Sequence, residues 1–148
     1  MLRSELQSAL NDVVVACDEA ADGHEHAAAF LEAQDGEAVR LLRALAEQRR
    51  AAATELGDQL RALGDLPKAP DTEFETIHDL IARVKAALSA DERQAVLEDR
   101  AQAEATIEQA VSAALRMPLP DRCRELLAQL QEETRLAQQR LVACQTER

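Results

Sequence analysis

Aromatic residues are nearly absent from this 148-residue chain, which has no Trp, no Tyr and only two Phe. Gly and Pro are also scarce, with four of each. Strands favour aromatic and β-branched side chains, and the turns between short elements favour Gly and Pro. The core must therefore be built from Leu, Ala, Val and Ile, and the composition predicts long uninterrupted helices.

Basic residues are in deficit, since 17 Lys and Arg stand against 28 Asp and Glu for a net charge of −11. Binding to nucleic acid or to anionic membranes depends on positive charge, so we expect neither partner. No apolar run is long enough to cross a bilayer, and the first seven residues lack the layout of a signal peptide. Three cysteines without metal-site spacing fit a reducing compartment. We therefore expect a cytoplasmic protein.

Apolar residues recur at steps of three and four, which predicts four helices over residues 4–33, 35–63, 90–116 and 120–147 of a single domain, 1–148. Ser4 and Gln7 form a capping box, Asp35 is the expected cap of the second helix, Gly64 is expected to end it, and Pro120 to begin the fourth. The inward positions are Leu6, Leu10, Val13, Cys17, Ala20, His24, Ala27 and Leu31 in the first helix; Leu42, Leu45, Arg49, Ala52, Leu56 and Leu63 in the second; Leu97, Arg100, Glu104, Ile107, Val111 and Ala114 in the third; and Cys123, Leu127, Leu130, Thr134, Ala137, Leu141 and Cys144 in the fourth.

The connection over residues 64–89 is too long for a tight turn, and Thr72 and Glu75 open a short helix within it. Two tight hairpins joined by one long crossover define the ferritin-like topology. We therefore predict an all-α, ferritin-like antiparallel four-helix bundle whose crossover contains a short helix.

Several stretches of the chain carry a resemblance through their order and spacing: Leu10-Asn11-Asp12, Gly23, Ala46-Glu47-Gln48-Arg49, Glu55-Leu56, Lys85-Ala86-Ala87-Leu88, Ala103-Glu104 and Ala114-Leu115. Over nearly its whole length the chain resembles an uncharacterised bacterial family of ferritin-like proteins that carry a domain of unknown function. The resemblance implies the ferritin-like fold and, because the family has no established activity, little about function. The chain departs from the family pattern at His24, Ala103, Val111 and Gln138.

A di-iron bundle needs inward Glu residues and Glu-x-x-His motifs on two of its helices. The second and fourth helices contain no His, and the inward positions present one carboxylate, Glu104, beside Arg49 and Arg100. We therefore expect no metal centre. The alternative is an iron or manganese site in which Glu19, Glu47 and Glu133 rotate inward to join Glu104.

Arg49 and Glu104 lie near the midpoints of their helices, so we expect them to form a buried pair at one level of the bundle. The alternative is that one or both reach solvent at the edge of the apolar stripe. His24 is expected about one turn from that level, as a hydrogen-bonded core histidine. The three cysteines are expected to behave as small buried apolar residues.

Three functions are compatible with these residues. The first is a non-catalytic bundle that acts by association, either in a homodimer that covers the neighbouring Leu80 and Ile81 or with a basic protein. A basic partner would face the first helix, where residues 4–33 contain seven acidic residues and no Lys or Arg. The second is a ferritin-like metal-dependent oxidoreductase or metal-storage protein. The third is a binder of small apolar molecules, which requires a pocket of several hundred Å³.

Overall fold

The computed structural model describes residues 4–33, 36–64 and 90–146. Its regular elements in these ranges are α1 (Glu5–Leu31), α2 (Gly36–Ala62), α3 (Ala90–Leu115) and α4 (Asp121–Thr146), with no strand. Each helix begins and ends within two residues of its predicted bounds. None of these described helices is both long and apolar enough to cross a membrane. Asp35, the short crossover helix, Leu80 and Ile81 lie outside the described residues.

Local signals at the helix ends are mostly confirmed. The Ser4 Oγ accepts a hydrogen bond from the Gln7 backbone N–H at 3.1 Å, and the Gln7 Oε1 accepts one from the Ser4 N–H at 3.0 Å. Gly64 follows α2 with a φ of 86°, the left-handed conformation that favours glycine. Pro120 differs from its predicted place, because it precedes α4 and its carbonyl accepts the Arg124 N–H at 3.1 Å. It therefore caps α4 and does not open its first turn.

The apolar core forms two clusters. One joins the N-terminal halves of α1 and α4 to the C-terminal halves of α2 and α3, and the other joins the opposite halves. Representative members of the first are Leu10, Leu56, Ile107 and Leu127, and of the second Leu31, Leu42, Leu97 and Leu141. Every helix therefore contributes to both clusters, which lie on either side of the middle of the bundle.

The inward positions predicted for α3 and α4 are all buried, and so are those of α1 apart from Leu6. The prediction is less accurate in α2, where Ala52 and Leu63 are half-buried while Ala53 and Leu60 are buried. The predicted positions alternate steps of three and four residues, whereas a straight helix has 3.6 residues per turn. The buried positions of α2 therefore include an additional step of four.

In the described residues α1 packs against α2 and α3, and α4 packs against α3 and α2. The helices therefore follow one another around the bundle in the order α1, α2, α4, α3. α2 and α4 share the least extensive of these four packings.

Substitution of two leucines of α4 tests which face of this helix is buried in the core. Leu127 is fully buried, whereas Leu136 is 47% exposed. We expect Leu127→Ala to lower the free energy of unfolding by about 2–5 kcal/mol, since it removes buried methyl groups and leaves a cavity. The matched Leu136→Ala should change it by less than about 0.5 kcal/mol. Chemical denaturation of both variants makes the measurement, and equal losses would contradict the assigned orientation of α4.

Candidate functional site

Five buried polar side chains from all four helices lie between the two apolar clusters, and we call them the polar layer. They are His24 of α1, Arg49 of α2, Arg100 and Glu104 of α3, and Thr134 of α4. Arg100 is 5% exposed and the other four are fully buried. Charged groups at such positions are stable only when they are paired and hydrogen-bonded. The contacts of each group therefore decide what the layer can do.

Arg49 and Glu104 form the central contact. The Arg49 Nε donates to both carboxylate oxygens of Glu104 at 3.0 Å, and its Nη2 donates to Oε1 at 2.6 Å. The Arg49 Nη1 lies 3.7 Å from the Glu133 Oε2, an ion pair beyond hydrogen-bond distance. Arg49 is thus held mainly by Glu104 and secondarily by Glu133 of α4.

His24 joins the same carboxylate. Its Nε2 lies 3.0 Å from the Glu104 Oε2, and because a carboxylate oxygen accepts, this ring nitrogen donates. Its Nδ1 is buried and has no hydrogen-bond partner among the described residues. The prediction of a hydrogen-bonded core histidine is confirmed, and its partner Glu104 belongs to the level from which His24 was expected to lie about one turn away. The Glu104 side chain reaches α1 and α2 at once, which helical spacing alone does not reveal.

Burial, hydrogen bonds and neighbouring charges together shift the pKa values of His24 and Glu104. Burial lowers the pKa of His24, and the neighbouring charges of Arg100 and Arg49 lower it further against the opposing hydrogen bond to Glu104. Burial by itself would raise the pKa of Glu104, but the hydrogen bonds from His24 and Arg49 hold it below its ordinary value. The layer therefore contains a neutral imidazole, two guanidinium groups and an ionised carboxylate near neutral pH.

Arg100 belongs to the polar layer but makes separate contacts. Its Nη2 donates to the Asp99 Oδ2 at 2.8 Å, and its Nη1 lies 3.5 Å from the Ala20 carbonyl oxygen. The guanidinium lies against Gly23 of α1, where an added Cβ would come 1.8 Å from the Arg100 Nη1. Sequence reasoning missed the role of Gly23. A glycine inside a long helix, which costs about 1 kcal/mol relative to Ala, was the available signal.

The residues present do not fit the metal centre of the alternative interpretation. Glu47 is exposed, and Glu19 and Glu133 are half-buried, so only Glu104 faces the core among the four proposed ligands. Both oxygens of Glu104 already accept bonds from Arg49 and His24, and a guanidinium repels a cation. Within the described ranges, no group of three or more His, Cys, Asp or Glu side chains could hold a metal ion.

All three cysteines are buried, as predicted. Burial raises the pKa of Cys17 to about 12 and also raises that of Cys123. The thiolate is the reactive form, so burial keeps both of these thiols unreactive near neutral pH.

A surface groove lies between α2 and α4, and we call it the α2–α4 groove. It encloses about 170 Å³. This volume falls short of the several hundred Å³ that a binder of drug-sized apolar molecules requires. The groove is lined by Gln48, Ala51, Ala52, Glu55 and Leu56 of α2 and by Leu126, Gln129, Leu130 and Glu133 of α4.

The chain belongs to the family described as Domain of unknown function (DUF2383), whose model matches residues 5–117. The match includes α1, α2 and α3 and ends before α4, so it is shorter than the nearly full-length resemblance expected from the sequence. His24, Arg49, Arg100 and Glu104 all lie inside the matched region, whereas Glu133 lies outside it. No curated protein and no solved structure matches the chain.

The Arg49–Glu104 pair can be tested by a double-mutant cycle. We expect Arg49→Met or Glu104→Leu alone to lower the free energy of unfolding by about 3–5 kcal/mol, because each leaves an uncompensated buried charge. The double variant should be milder than the sum, with a coupling energy above about 1 kcal/mol. Chemical denaturation provides all four values. Single variants within about half a kcal/mol of the wild type would show that the pair does not support the fold.

The pH dependence of stability should report His24. Its folded pKa lies below its unfolded value of about 6.5, so the unfolded chain binds the proton more strongly as the pH falls through 6.5. The contribution of His24 to the free energy of unfolding is therefore fully present above this pH. Below it the free energy of unfolding declines, by at most about 1.4 kcal/mol per pH unit for this one proton. The lowered pKa of Glu104 adds a second decline at more acidic pH.

His24→Gln is the matched variant, since its amide nitrogen can still donate to Glu104 but does not titrate. Denaturation between pH 8 and pH 5 should show a smaller decline for this variant than for the wild type. Identical pH profiles would mean that His24 is not the group responsible.

Proposed function

We propose that this chain is a non-catalytic, single-domain helical bundle that acts by association, with the Arg49–Glu104 pair in the place of a metal centre. The observation that carries the proposal is that the polar groups at the centre of the bundle are closed off from solvent. His24, Arg49 and Glu104 are fully buried, and the carboxylate is hydrogen-bonded to both of the other groups. A reactant has no route to these groups without opening the core, so the functional contacts belong to the surface.

The proposed architecture is antiparallel and ferritin-like. Its support is the composition of the two apolar clusters, since the C-terminal half of α2 and the N-terminal half of α3 belong to different clusters. The chain must then travel from one end of the bundle to the other between α2 and α3. A crossover connection of this kind distinguishes the ferritin-like topology from a simple up-down-up-down bundle.

Self-association in a homodimer is the first form of association that we propose. Its support in the described residues is on α4, where Leu136 and Val142 are 47% and 52% exposed. Large apolar side chains at such exposure gain free energy when a partner covers them.

A basic protein partner is the second form. Arg50 of α2 bridges Asp22 and Glu25 of α1 at 3.1 and 3.3 Å, and so offsets part of the acidity of that helix. Glu5 and Asp12 are exposed and have no ion pair among the described residues. This uncompensated charge would steer a basic surface toward α1. We place the protein in the cytoplasm, in keeping with its three buried thiols.

Sedimentation of the purified chain tests the proposal. We expect a homodimer at tens of micromolar, weakened by Leu136→Ser and unaffected by Ala128→Ser, which changes another exposed position of α4. A monomer under these conditions would contradict self-association and leave the basic partner as the remaining form.

Affinity purification from the native host then separates the two forms. A specific partner should be lost from the Glu5→Gln, Asp12→Asn double variant. It should be retained by Gln94→Lys, Gln102→Lys, which makes the same change in net charge at exposed positions of α3. A monomer with no α1-dependent partner would overturn the proposed function.

A further inference from the structure

The α2–α4 groove combines apolar side chains with a carboxylate on each wall. Leu56 and Leu130 line it but are almost fully buried, so its accessible apolar surface comes mainly from Ala51, Ala52 and Leu126. Glu55 belongs to the wall formed by α2, and Glu133 to the wall formed by α4. Such a lining suits a ligand with an aliphatic body and positive charge.

The two carboxylates lie toward opposite ends of the groove. Glu133 is at the level of Arg49, because the two side chains form an ion pair. Glu55 is six residues beyond Arg49 on α2, which corresponds to about 9 Å along the helix axis. A ligand lying along the groove would therefore meet one carboxylate near each of its ends.

The charges around Glu133 do not cancel. Arg49 supplies one positive charge and is committed to Glu104 through three short hydrogen-bond distances. His24 is neutral because its pKa is lowered by burial. Among the described residues, the Glu133 carboxylate has only a 3.7 Å ion pair with Arg49 and a 3.2 Å hydrogen bond from Gln129. Two carboxylates thus share one guanidinium, and one negative charge is left over at the groove.

Glu55 is also incompletely neutralised. Among the described residues it pairs with Arg122, whose Nη2 lies 3.9 Å away, and both side chains are more than half exposed. Ion pairs of this kind contribute little and are easily exchanged for another cation. The net charge of −11 favours cations over anions as ligands at both ends.

We propose that the α2–α4 groove binds a small linear aliphatic diammonium ion, with one ammonium group at Glu55, the other at Glu133 and the methylene chain against Ala52 and Leu126. The volume of about 170 Å³ is similar to that of an engineered cavity of about 150 Å³ that accepts benzene. It therefore accommodates a ligand of about six to eight non-hydrogen atoms. This activity is separate from the proposed association and does not depend on it.

The experiment is a titration of the full chain with 1,4-diaminobutane at low salt, followed by NMR shifts of groove residues. Glu133→Gln and Glu55→Gln should each weaken binding by about threefold, the loss expected for one exposed ion pair. Glu47→Gln is the matched control, since Glu47 is exposed on α2 outside the groove and its loss changes the net charge equally. Its affinity should equal that of the wild type.

Two reference ligands complete the test. 1-Aminobutane should bind about threefold more weakly, because it satisfies one carboxylate only. Magnesium at the same concentration should not displace the diammonium ion, because it lacks an aliphatic body. The proposal is overturned by the absence of saturable binding at millimolar ligand, by equal weakening in Glu47→Gln, or by equal affinity for 1-aminobutane. Circular dichroism of each variant confirms that a loss of binding is not a loss of fold.

Discussion

Arg49 carries its positive charge at every pH at which proteins fold, so its burial requires a permanent counter-charge at a fixed place. Glu104 provides that charge from the diagonally opposite helix, through contacts of 2.6–3.0 Å. The same carboxylate accepts from His24 of α1, and the guanidinium approaches Glu133 of α4. One ion pair thus links all four helices. A slip of α2 or α3 by one turn, about 5.4 Å, would separate the buried guanidinium of Arg49 from the carboxylate of Glu104.

The two apolar clusters do not fix the positions of the helices along the bundle in this way. They consist largely of Leu, Ala and Val, which differ little from one another in what they can pack against. Cores of such uniform composition fill space well but specify register weakly. Buried polar groups are known to fix register in coiled coils at a cost in stability. The position of the polar layer between the clusters fits the same role, because each apolar half is aligned by the charges next to it.

The main architecture could be predicted because it depends on local periodicity. All seven inward positions of α4 and all six of α3 were identified from steps of three and four. Arg49 and Glu104 were matched because each lies near the midpoint of its helix. The contact of His24 with Glu104 was missed, since it depends on the reach of a side chain across the bundle. The drift of the buried stripe in α2, from Ala52 to Ala53, depends on helix twist and was missed as well.

The approach of Arg100 to Gly23 couples two positions that are far apart in the sequence. The guanidinium fills the volume that a side chain at position 23 would take, and an added Cβ would come within 1.8 Å of it. A larger residue in α1 at this point is therefore compatible only with a shorter or displaced residue at position 100 of α3. Gly23 of α1 and Arg100 of α3 therefore share one volume between the two helices. The atoms in the way are the end of a flexible side chain, so a side chain at position 23 would displace the guanidinium and not the backbone of α3.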